Sequence, residues 1–160
     1  MERIKRERFA VFTRNHPNYL VEAEELCAAD PKRFVTFRAS TLWASAEREV
    51  SDGPPLALYI AAVGGPGTVE YVAELCEVQT HPHRGDPKTE RLLAAVTPST
   101  ADEGLWEKYD KRVRTLYAIR YCRRLATAFP ISTLIKASDG TPLDSEYRYS
   151  YARVMPKAAS

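Results

Sequence analysis

Apolar and polar positions along this chain recur with two different periods, and the change of period divides it into strands and short helices. Phe9 to Arg14 has strand character, and Asn15-His16-Pro17-Asn18 reads as a turn. Tyr19, Leu20, Ala23, Leu26 and Cys27 recur at helical spacing with acids opposite. A helix is therefore predicted over 19–29, stopped by Asp30-Pro31. Arg33 to Ala39 is β-rich and predicts a strand, and Leu42 to Val50 a short helix ended by Ser51-Asp52-Gly53-Pro54-Pro55. Leu56 to Val63 is an unbroken apolar run, Gly64-Gly65-Pro66-Gly67 a tight link, and Thr68 to Val78 a second strand. Together these predict a hairpin. Neither a helix start nor a Lys-Ser/Thr pair follows the glycines, which excludes a phosphate-cradling P-loop.

Thr80 to Asp86 is a polar loop, and helices are predicted over 88–96 and 100–111, the second with Thr100 as N-cap and Asp102 and Glu103 in its first turn. Trp106, Tyr109 and Val113 are spaced along that helix as core positions. Val113 to Ala128 alternates like a strand, which places Val113, Thr115, Tyr117, Ile119 and Tyr121 on one face. Phe129-Pro130-Ile131-Ser132 opens another short element with Asp139-Gly140 as its turn, and Tyr147, Tyr149 and Tyr151 again show period-two spacing. Strands and helices follow no regular βαβ rhythm. The predicted fold is a mixed α+β domain built round a strongly curved sheet or small barrel, one domain over residues 1–160.

The composition agrees with one ordinary core: 44% of the 160 residues are hydrophobic and 28% charged. The longest apolar run is far short of the ~20 residues that span a membrane, and the charged residues 1–8 have no apolar segment behind them, as a secretory signal would. A soluble, cytoplasmic protein with no membrane partner is the expectation. Cys27, Cys76 and Cys122 are odd in number and lie far apart, so they read as packed thiols rather than a disulfide framework or zinc site. His81 and His83 beside Asp86 lack a third ligand, so no metal and no cofactor is expected; that loop reads as solvated, or as touching phosphate through His81, His83 and Arg84.

The formal net charge of +2 conceals an asymmetry. Residues 1–80 hold nine basic and twelve acidic side chains, and residues 81–160 fourteen and nine. Between Lys108 and Arg124 seven cations (Lys108, Lys111, Arg112, Arg114, Arg120, Arg123 and Arg124) meet one acid, Asp110. Cations release counterions from phosphates, and the interleaved Tyr109, Tyr117 and Tyr121 are of the type that stacks on unpaired bases. A second set of candidates follows the strand at 33–39. Arg38 shares a face with Thr36 and offers a planar fork, and Trp43 beside Ser40 and Thr41 could stack on a base or simply fill the core.

The run Pro31-Lys32-Arg33-Phe34-Val35-Thr36-Phe37-Arg38, followed by Pro55 to Ala61 and by Val69 to Val78, resembles the PUA-like superfamily. Within it the chain is similar to ASCH and EVE domains and, more distantly, to YTH domains. The ASCH signature is Gly-x-Lys-x-x-Glu-x-Arg; Arg33 stands at its Lys and Arg38 at its Arg, while Pro31 replaces the Gly and Thr36 the Glu. The Lys, Thr and Glu set that some ASCH members use for amidohydrolysis is therefore incomplete. By element order the resemblance covers about residues 9–155. It implies a small curved β-barrel flanked by short helices, with a pocket that accepts a nucleotide or modified base.

Two functions of different class follow. The first is a nucleic-acid-binding module for DNA or RNA that reads a base flipped into an aromatic pocket. In it Asn15, Arg38, Ser40, Thr41 and Trp43 form the pocket, and Arg114, Arg120, Arg123 and Arg124 hold the backbone. The second is a hydrolase acting on RNA or a modified nucleoside, with Arg33, Thr36, Arg38 and Glu74 (or Glu70) as its acting groups. A protein partner of a nuclease or toxin is a third reading.

Overall fold

The computed structural model describes residues 8–102, 113–147 and 150–157. Its elements follow the order β1 (Ala10–Asn15), α1 (Pro17–Ala29), β2 (Val35–Ala39), α2 (Ala44–Ser51), β3 (Leu56–Ala62), β4 (Thr68–Thr80), α3 (Pro87–Leu93), α4 (Pro98–Asp102), β5 (Thr115–Pro130), a 3₁₀ turn (Ile131–Thr133) and β6 (Ala152–Val154). The strands form one mixed sheet in the order β2-β5-β4-β3-β1-β6. Only β1 and β3 run parallel, with α1, β2 and α2 as the connection between them. The architecture is α+β, and the sheet does not close: among the described residues β2 and β6 remain its two ends.

Burial explains the sequence periods. β3 is central and covered on both faces, so it reads as a continuous apolar run rather than an alternation. On one face Leu58 and Ile60 join Val11, Tyr71, Leu75, Tyr117 and Ile119 beneath α1 and α2. On the other, Tyr59 and Ala61 join Phe12 and Val69 against Ile131, Leu134 and Leu143. β4 keeps a strict alternation over 68–75, because its second face is only half covered. The link between β3 and β4 needs its glycines, since Gly64 and Gly67 hold φ of 76° and 79°.

Polar residues anchor the helices at their expected ends. Asp30 follows α1, and its N–H donates to the Leu26 carbonyl before Pro31 ends the helix. Asp86 caps α3 by accepting from the Thr89 N–H and from Gln79 Nε2. Arg91 then ties α3 to β4 through two bonds of 2.6 and 2.7 Å to the Glu77 carboxylate, which lowers that carboxyl's pKa.

Three expectations change in the structure. The alternation along β5 fails at Tyr121, whose φ is 56°. There Tyr121 and Cys122 together oppose Ala73, between the pairs Glu74↔Arg120 and Val72↔Arg123. This bulge turns Cys122 into the core and leaves Tyr121 45% exposed, so Tyr121 does not share the buried face of Tyr117 and Ile119. Tyr147 and Tyr151 both stand outside the strands: β6 begins at Ala152, and Tyr149 lies outside the described residues. The helix over 100–111 is described only as α4, so Trp106, Lys108, Tyr109, Asp110, Lys111 and Arg112 also lie outside. No helix among the described residues is long and apolar enough to cross a membrane.

A left-handed backbone costs a residue with a Cβ roughly 1–2 kcal/mol. Tyr121→Gly is therefore expected to be about 1 kcal/mol more stable than Tyr121→Ala in urea denaturation. Equal stabilities would mean that the bulge relaxes in solution.

Candidate functional site

A group of polar side chains converges where β1 and β2 end. β1 closes on Asn15, and α1 starts two residues later with Pro17 in its first turn. That start has no side-chain cap and no acid in its first turn. Between it, the end of β2 and the residues flanking α4 and β5 lies a cleft of about 550 Å³. Arg14, Asn15, His16, Asn18, Arg38 and Ser40 supply its polar groups; Tyr19, Phe37, Ala39, Val63 and Val113 supply apolar wall.

Asn15 is the fixed point. It is 7% exposed, its Nδ2 donates to the Tyr117 hydroxyl at 3.1 Å, and its Oδ1 accepts the His16 N–H at 2.8 Å. Arg14 leaves β1 on the same side. Its Nη2 donates to the Tyr147 carbonyl at 2.8 Å and its guanidinium lies over the Phe12 ring, while its Nε is buried without an acceptor. Arg38 and Ser40 enter from β2 and the residue after it.

Of the residues predicted to read a base, Asn15, Arg38 and Ser40 therefore meet in one cleft. Thr41 and Trp43 do not line it. Trp43 is fully buried, stacked between Tyr117 at 4.2 Å and Tyr151 at 5.0 Å, with planes 20° and 19° apart. Its Nε1 donates to Thr41 Oγ1 at 3.1 Å, which accounts for Thr41 as well. The base-stacking role predicted for Trp43 is thus corrected: its two faces are already covered by tyrosines, and it is a core residue supporting the Asn15 wall through Tyr117.

The predicted backbone-binding arginines do not form one patch. Arg114 follows Val113 at the cleft end of β5, whereas Arg123 stands nine residues further on, about 25–30 Å at the usual strand rise. Arg120 is bonded to Glu74 at 2.8 Å and also lies over the Tyr121 ring. Arg123 and Arg124 are exposed, and neither side chain is in an ion pair among the described residues. The exposed Tyr121 stands next to them.

The enzyme candidates do not converge. Arg33 is exposed before β2 begins, Thr36 is wholly buried with its hydroxyl unpartnered, and Glu74 is engaged by Arg120. Thr36 and Glu74 are two strands apart with β5 between them, and none of the three lines the cleft. The His81–Asp86 loop serves α3: His81 turns the chain with a φ of 53°, His83 N–H donates to Thr89 Oγ1, and Arg84 bonds Glu90 at 2.9 Å. Glu70 lies on β4, bonded by Thr68 Oγ1 at 3.4 Å. Arg14 and His16 escaped the sequence reading; the signal that could have found them is the Asn-His-Pro junction, where a strand ends as a helix begins.

No protein-family model matches the chain, and no curated protein matches it in sequence.

Trp43→Ala is expected to cost roughly 3–5 kcal/mol, the usual range for emptying a buried aromatic site, read by urea denaturation. A loss below 1 kcal/mol would contradict the supporting role of the stack. Burial also makes the fold alkali-sensitive. The Cys122 thiol is pushed up to about 12 by burial and then by Cys27 and Glu24; Cys76 is pushed up to about 11, mainly by burial. Burial likewise raises the Tyr117 phenol against the bonds of Asn15 and Thr13. Folding keeps these groups protonated, so their stabilisation is complete below the unfolded values and is lost as pH rises towards the folded ones. Stability should fall from about pH 9 upward, and Cys122→Ala should flatten that fall between about pH 9 and 12. An unchanged slope would place Cys122 outside the linkage.

Proposed function

We propose that this chain is a nucleic-acid-binding module of the PUA-like kind, and that the cleft between β1, α1 and β2 receives a nucleotide. The observation that carries this reading is the meeting of Asn15, Arg38 and Ser40, drawn from two separate stretches of sequence, in a single cleft of about 550 Å³. That volume lies within the range of roughly 300–1,000 Å³ typical of small-molecule sites. A rigid Asn amide and a guanidinium are suited to the edge of a base, and the apolar wall to its face.

The Trp43 stack lies in the core on the helix-covered face of the open six-stranded sheet. Arg123, Arg124 and the exposed ring of Tyr121 would contact the strand away from the cleft, by phosphate neutralisation and by stacking. Hydrolysis has no comparable support, because Arg33, Thr36 and Glu74 share no cleft.

Fluorescence anisotropy with labelled single-stranded DNA and RNA, plain and base-modified, at two salt concentrations tests this reading. Binding should weaken with salt, and Arg123→Ala with Arg124→Ala should reduce the salt slope by about 1–2. Arg38→Gln should weaken binding about tenfold, equivalent to ~1.4 kcal/mol. Absence of salt-dependent affinity for every DNA and RNA tested would remove the proposal.

A further inference from the structure

Asn15 is held at the cleft by a chain of hydrogen bonds whose direction is fixed at both ends. At one end the His16 N–H can only donate, so the amide atom that meets it at 2.8 Å is Oδ1. Nδ2 therefore faces the Tyr117 hydroxyl at 3.1 Å and donates to it. At the other end the Ser150 carbonyl can only accept, and the Thr13 hydroxyl donates to it at 2.6 Å, in preference to the Arg14 carbonyl at 3.4 Å. Thr13 Oγ1 also stands against the Tyr117 hydroxyl, and its lone pairs are left to accept the phenol's proton. Thr13 and Asn15 lie two apart on β1 and so share one face of that strand. Thr13 and Tyr117 are each 1% exposed and Asn15 7%, so all three are shielded from water.

A primary amide has two N–H groups and two lone pairs on its oxygen. Among the described residues Asn15 uses one N–H on Tyr117 and one lone pair on His16, and it lines the cleft. One donor and one acceptor remain side by side. Their order cannot reverse, because turning the amide over would set its NH₂ against the His16 N–H. We infer that Tyr117 and Thr13 are positioning residues that lock the Asn15 amide, and that the locked amide lets the cleft separate bases with an exocyclic amine from bases with a carbonyl at the same place. This rests on the nucleic-acid reading above and adds a specificity to it. Adenine and cytosine set an exocyclic N–H donor beside a ring-nitrogen acceptor, whereas hypoxanthine and uracil set an exocyclic carbonyl beside a ring N–H. A freely turning amide meets both orders equally well. A locked one meets one order only, since a base joined to its strand enters with its sugar towards the cleft mouth and cannot turn over either.

Fluorescence anisotropy on the full chain tests this with labelled single strands that carry one central base in an otherwise abasic backbone. Adenine is compared with hypoxanthine and cytosine with uracil, since the members of each pair differ at the exchanged edge. Within at least one pair the affinities should differ about tenfold or more, as for a good bidentate base contact. Tyr117→Phe keeps the ring in its stack with Trp43 and should bring that ratio close to one. Thr13→Val, which removes the hydroxyl at nearly constant volume, should do the same, and Thr13→Ser should restore the ratio. A merely structural role for the two hydroxyls would lower stability and leave the ratio untouched, so a ratio that survives Tyr117→Phe and Thr13→Val overturns the positioning role. Equal affinities within both pairs, with salt-dependent binding retained, would overturn the lock and leave a module that does not read this edge. No binding to any strand removes both readings. ¹⁵N NMR of the ligand-free chain checks the lock without a variant or a ligand, because the exposed Asn18 is the only other asparagine. The side-chain N–H protons of Asn15 should exchange with solvent about tenfold or more slowly than those of Asn18, and equal rates would overturn the lock.

Discussion

The stack of Tyr117, Trp43 and Tyr151 ties the β2–β5 end of the sheet to the entry of β6, which no direct ladder joins to it. Tyr117 belongs to β5, Trp43 to the connection between β2 and α2, and Tyr151 to the entry of β6, at the opposite end of the sheet from β2. Each ring buries a large apolar area, and the indole has an aromatic neighbour on both faces. The polar atoms at their edges are all satisfied: Trp43 Nε1 by Thr41, the Tyr117 hydroxyl by Asn15, and the Tyr151 hydroxyl by Ser45 at 2.6 Å. A buried aromatic cluster with every polar atom paired specifies one arrangement of its elements, because any other leaves a hydroxyl or N–H unmet.

The cleft inherits its rigidity from that cluster. Asn15 stands between them, bonded on one side to Tyr117 and on the other to the first backbone N–H beyond β1. The strand end and the helix start are thereby held in one orientation, and Arg14 and His16 are carried with them. On the far side, Thr115 Oγ1 accepts the Trp43 N–H and donates to the Thr41 carbonyl, which fixes the turn that presents Ser40. A cleft assembled on buried, paired groups is held in shape by the protein itself.

Charge is distributed by pairing rather than by position in the sequence. The basic run of β5 looks like one feature when read linearly, yet Arg120 is committed to Glu74 across the β4–β5 ladder. The bulge at Tyr121 then changes which residues face outward, leaving Arg123 and Arg124 as the exposed cations of the strand.

The sequence by itself determined most of the elements, because their signals are local. The glycine-linked hairpin of β3 and β4, the helical spacing from Tyr19 to Cys27 and the stop at Asp30-Pro31 each depend on neighbouring residues alone. Asn15, Arg38 and Ser40 were also legible as polar residues at strand ends, where chains leave a sheet and side chains become available. Tertiary structure decided the rest. Whether Trp43 meets a ligand or the core depended on Tyr117 and Tyr151, 74 and 108 residues away along the chain. The face taken by Tyr121 depended on a mismatch in register between two strands, and a single extra residue inverts a period-two pattern without leaving a mark on composition. The places of Arg14 and His16 in the cleft depended on α1 beginning beside the end of β2, a long-range packing choice that no local pattern encodes.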